Sequence, residues 1–103
     1  MEDITVHPTD TVARSRRIAQ RLFEGCMLVI TVDDSRLHRF NEVGTFIWKI
    51  LDNPRTVDEI CGEVGSHFDQ GSKKQVLEDV VAFVKTLTEK GLVTVTPGKG
   101  RGK

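Results

Sequence analysis

The run "RLHRFNEVGTFIWKIL", Arg36 to Leu51, changes period in its middle. Its left half alternates as a strand does, and its right half repeats at i, i+3 and i+4 as a helix does. Asn41 stands at the seam. Its side chain is suited to accept from an amide near Val43 or Gly44, and so to start a helix where the strand stops.

The residues before the seam read as the rest of that sheet. "CMLVITV" is rich in β-branched residues and ends at the turn signal "DDS". Cys26, Leu28, Ile30 and Val32 share one of its faces, and Met27, Val29 and Thr31 the other. "RLHRF" pairs back on it, with Leu37 and His38 on opposite faces, and a short strand over Ile18 to Phe23 is expected before it, although "RRIAQRLFEG" also fits a helix. Three strands in sequence form an antiparallel meander. Both faces of the middle strand are apolar, so each is expected to be covered.

Beyond the seam come three helix patterns. Val43, Phe46, Ile47, Ile50 and Leu51 recur at helical spacing until "DNP", where Pro54 restricts Asn53. Thr56 with Glu59, and Ser72 with Gln75, read as capping boxes opening the second and third helices. Gly91 falls where a left-handed cap residue belongs, with Leu92 packing back on the last turn. "LVTVT" is a candidate last strand. The expected fold class is therefore α+β: winged-helix-like, a three-stranded antiparallel sheet followed by three helices. Residues 1–13 read as a flexible arm, 14–96 as the domain and 97–103 as a disordered basic tail.

Composition narrows the function. The chain has 103 residues, enough for one domain, and 15 basic against 15 acidic residues. A net basic field for phosphate is absent, which counts against nucleic acid. "MEDITVHPTD" is no secretory signal, and "MLVI" is far too short to cross a membrane. Cys26 and Cys61 form no zinc or redox spacing and suit a reducing, cytoplasmic setting. Neither they nor His7, His38 and His67 make a metal-ligand or nucleophile–base pattern, so no catalytic role and no cofactor is expected.

"LHRFNEVGTFIWKILDNPRTVDEI" followed by "VLEDVVAFVKTLTEKGLV" resembles the PqqD family. The resemblance rests on Leu37, Asn41-Glu42-Val43-Gly44, Ile47-Trp48, the segment Asp52 to Ile60, and Val80, Phe83, Leu87 and Gly91-Leu92-Val93. It runs from about Arg21 to Val95, with Phe40 where the family more often has Leu and Asn53 where it more often has Gly. The resemblance implies a small recognition protein for precursor peptides of ribosomally made, modified products. The peptide would add a strand beside the third strand and rest on the third helix. Its partner would be a modifying enzyme, often a radical S-adenosylmethionine enzyme, which would hold all the cofactors.

An edge strand offers unpaired amides and carbonyls that a second chain can satisfy, while side-chain pockets supply selectivity. Arg36, Leu37, His38, Arg39 and Phe40 are the expected docking strand, and Val76, Val80, Phe83, Val84 and Leu87 the expected groove wall. Arg36, Arg39 and Lys73 are expected to steer acidic peptide residues. Helical spacing fits a protein core as well as a groove, so Val76, Val80 and Leu87 suit both. Trp48 is expected to pack on the sheet, with an exposed interface anchor as the alternative, and Gly44 to permit close packing or a tight first turn. The same open margin would let two copies pair. Two rival readings stand beside this one. In the first, Thr56 to Lys90 is a DNA-binding helix-turn-helix, although Glu78 and Asp79 on its second helix oppose phosphate. In the second, the chain is a structural subunit of a larger enzyme.

Overall fold

The computed structural model describes residues 6–33, 35–68 and 72–98. Its central unit is an antiparallel sheet of β2 (Ile18–Phe23), β3 (Cys26–Thr31) and β4 (Arg36–Arg39), with β3 in the middle. Glu24 and Gly25 both take positive φ between β2 and β3, the two-residue turn whose twist matches the strands it joins. β4 leads directly into α1 (Glu42–Ile50), followed by α2 (Val57–His67) and α3 (Lys73–Glu89). This is the winged-helix-like α+β architecture expected from the sequence.

Local chemistry accounts for each helix start. Gly44 N–H donates to Asn41 Oδ1 at 2.8 Å. Thr56 and Glu59 exchange both bonds of a capping box, and Gln75 N–H donates to Ser72 Oγ. α3 ends in a Schellman motif. Gly91 has φ 76°, Leu92 N–H donates to Leu87 O, and Gly91 N–H donates to Thr88 O. Leu92 is fully buried beneath that turn.

The seam is bolted by Thr45. Its hydroxyl accepts from Met27 N–H at 2.9 Å, where the β3–β4 ladder runs out. Met27 and Val29 turn one face of the sheet inward, and α1 covers it with Ile47 and Trp48. Trp48 is fully buried, as its packing role requires. Its indole N–H donates to Gln20 Oε1 at 2.8 Å, and the Arg14 guanidinium lies 5.0 Å from its ring centroid. Burial lowers the Arg14 pKa, opposed by the nearby Asp52 carboxylate.

The amino-terminal segment corrects the expectation of a flexible arm over residues 1–13, for the described part of it. Thr11–Arg14 forms β1, central in a second small sheet between β5 (Arg55–Thr56) and β6 (Val93–Thr96). Val12 is wholly buried and Asp10 is 1% exposed. The first amides of α2 have no partners inside their own helix. Val57 N–H is met by Asp10 O and Asp58 N–H by Pro8 O. The Asp10 carboxylate accepts from His7 N–H and Gly98 N–H. The boundary drawn at residue 97 therefore moves past Gly98, and residues 99–103 of the expected tail lie outside the described ones.

Candidate functional site

β4 is an edge of its sheet, and its register decides which atoms face outward. Phe40 N–H donates to Met27 O at 3.0 Å. Antiparallel ladders alternate, so Phe40, His38 and Arg36 turn their backbone groups toward β3. Leu37 and Arg39 turn theirs toward the open side, where no further strand lies among the described residues.

Side chains follow the opposite logic. His38 stands across from Val29 and Arg36 across from Thr31, on the face that looks toward the helices. Leu37 stands across from Ile30 and Arg39 across from Leu28, on the face turned away. Arg36 and His38 border a cleft of about 360 Å³ whose far side is Thr86, Glu89 and Lys90 of α3. A second hollow of about 300 Å³ lies farther back along the same helix. Asn41, Val43, Gly44 and Ile47 border it from α1, and Val76, Asp79, Val80 and Phe83 from α3.

Phe83 lines the second of these hollows. It meets Phe40 edge-on at 5.7 Å between ring centroids, and it approaches α1 where Gly44 has no side chain. A Cβ added at Gly44 would lie 3.1 Å from Phe83 Cζ and 3.2 Å from Phe40 Cβ. Asp79, Phe83, Thr86 and Lys90 follow one another at helical spacing along this side of α3. Eleven residues of helix rise roughly 16 Å, the reach of about five residues of extended chain.

The structure thus divides the residues expected at the site. Arg36, His38, Val76, Val80 and Phe83 line hollows beside α3. Leu37 and Arg39 have outward backbone groups, but their side chains leave by the opposite face. Phe40 is buried against Trp48 and Phe83. Val84 and Leu87 are buried like Val76 and Val80, but neither lines these hollows. The broad apolar stripe of α3 concealed that difference, since spacing alone gives no sharp phase. Lys73 lies at the other end of α3 from Arg36, beside Cys61, Ser66 and Leu77 in a hollow between α2 and α3. Sequence reasoning missed Asp79, Thr86, Glu89 and Lys90. Stepping by three or four from Phe83 would have found the first two and the last.

The reactive inventory is dispersed. Among the described residues, no three of His, Cys, Asp and Glu gather as metal ligands would. The His67 ring stacks on Phe46 at 4.3 Å. Burial and the neighbouring Asp58 carboxylate raise the Cys61 pKa, which holds it as a thiol. No described helix is long and apolar enough to cross a membrane.

Fold and site together define a winged-helix-like α+β domain with a free strand margin facing a hollowed helix. The family model described as Coenzyme PQQ synthesis protein D (PqqD) matches residues 26–93, more than half of the chain, and the chain belongs to that family. Two solved structures share its fold. TbiB1 in complex with the TbiA(beta) leader peptide superposes with a TM-score of 0.73 at 16% identity, over 88% of this chain and 99% of that one. Lasso peptide synthetase B1 complexed with the leader peptide gives a TM-score of 0.70 at 15% identity, over 81% and 96%. No curated protein matches the chain.

Proposed function

We propose that this chain is a non-catalytic recognition domain that takes a segment of a precursor peptide as a strand added to β4, against α3, and presents the remainder to a maturation enzyme. The observation that carries this reading is the direction of the Leu37 and Arg39 backbone groups, outward beside a helix with two hollows. Family membership supports it, as do two proteins of the same fold solved with leader peptides.

Main-chain pairing along β4 supplies affinity without regard to sequence, and the hollows beside Phe83 supply selectivity. An apolar peptide side chain suits the hollow floored by Val76 and Val80, with Asp79 at its rim. Arg36 and Lys90 favour a peptide carboxylate at the other cleft, and Glu89 limits how many. The bond-making chemistry belongs to the partner, for which the family resemblance implies a radical S-adenosylmethionine enzyme. Holding the peptide raises its effective concentration at that enzyme.

The test titrates the chain with synthetic peptides drawn from short reading frames neighbouring its gene while amide NMR shifts are followed. Leu37→Pro removes an outward N–H without touching the β3–β4 ladder, so it is expected to fold yet lose at least tenfold in peptide affinity. Leu37→Ser keeps that N–H and is expected to bind within about threefold of the parent, because backbone pairing ignores the side chain. Phe83→Ser is expected to weaken binding through the hollows. Unchanged affinity in folded Leu37→Pro protein would remove the added strand from the mechanism.

A further inference from the structure

The large apolar side chains left exposed among the described residues are Leu22, Phe23, Ile30, Val32 and Leu37, and all come from the β2–β3–β4 unit. The strand register shows how several of them gather. Ala19, Ile30 and Leu37 form one cross-strand row on the face turned away from the helices. Arg21, Leu28 and Arg39 form the next row, and Phe23 with Cys26 closes the face. Phe23, Ile30 and Leu37 are 53%, 41% and 61% exposed. The expectation that both faces of β3 would be covered is met on one side only, by α1.

This outer face has a definite charge. Its strand positions carry Arg21 and Arg39, one on each flanking strand, and no carboxylate. Among the described residues, the nearby acids lie in turns: Glu24 at the hairpin tip, and Asp33 already paired with Arg17 at 2.7 Å. Stacking two copies face to face would set arginines against arginines. Three strands of four to six residues span roughly 300 Å² of sheet, well below the ~800 Å² per partner typical of a stable interface. The patch is therefore suited to a transient contact with a protein of complementary charge that is also held by another link.

We infer that the outer face of the β2–β3–β4 sheet is a docking surface for the maturation enzyme, which meets it with an apolar patch flanked by carboxylates. This rests on the proposed function, because the shared peptide is the second link that makes so small a contact effective. The peptide margin and this face are separate surfaces of one sheet: the first uses the backbone edge of β4, and the second uses side chains that project away from α3.

The experiment takes the same synthetic peptides and candidate maturation enzymes drawn from reading frames neighbouring the gene, and measures the affinity of the full chain for each. Ile30→Ser and Arg21→Glu alter exposed side chains away from the β4 margin, and amide spectra report that the variants remain folded. Each is expected to lower enzyme affinity at least tenfold while peptide affinity stays within twofold. Unchanged enzyme affinity in both variants overturns the inference. So does a parent chain that sediments as a dimer and becomes monomeric on Ile30→Ser, because a second copy then owns the face. If the parent binds the peptide but not the enzyme, the docking surface falls and the recognition role stands. If the variants lose the enzyme while no form binds the peptide, the recognition role falls, and the face stands as an enzyme contact whose second link is something other than the peptide.

Discussion

Gly44 shows how much of this molecule turns on one missing methyl group. It lies in the first turn of α1, beside the Asn41 oxygen that caps the helix, and Phe83 reaches into the space its side chain would fill. A larger residue must displace either the ring or the cap. Gly44→Val is expected to cost about 2 kcal/mol through overpacking, read as a lowered urea midpoint with unchanged m-value. The closeness of Gly44 to its neighbours was legible in the sequence as a glycine where a helix begins. That Phe83 is the neighbour was not, because the contact joins residues 39 positions apart and no local pattern records it.

At the level of elements, the joint between β4 and α1 depends on Thr45. Its hydroxyl replaces the strand partner that Met27 N–H would otherwise lack, in a place closed to water. Thr45→Val keeps the shape and removes the acceptor. It is expected to destabilise the fold by about 2 kcal/mol, the cost of a buried unsatisfied amide, with Thr45→Ser losing less in the same denaturation assay. Helix starts and stops were readable because capping is local: Asn41, Thr56 with Glu59, Ser72 and Gly91 act within a few residues of themselves. β1 was not readable. Its four residues sit in a polar stretch, and their partners are β5 and β6, more than forty and about eighty residues away. The site was half legible for the same reason. Alternation marks β4 as a strand and puts Leu37 and His38 on opposite faces, but only the register against β3 tells which of them looks at α3.

For the whole molecule, Asp10 joins parts that are remote in sequence. Its carboxylate accepts from amides at residues 7 and 98, and its carbonyl accepts from the first amide of α2. Asp10→Ala would strand donors in a buried place. A loss of about 3 kcal/mol is expected, given the strength of hydrogen bonds to a charged acceptor. Hydrogen exchange should report it as faster exchange in both β1 and β6, since their strands are paired with each other. If only the first residues exchanged faster, the segment would be a detachable extension and not part of the core.

Pairing of Thr11 with Thr96 brings the two flanks of the chain alongside one another, in a sheet that does not include β4. A domain joined at either flank would enter through that sheet and not through β4. Should β4 capture a peptide as proposed, a fusion placed ahead of this domain and one placed behind it are expected to bind that peptide alike.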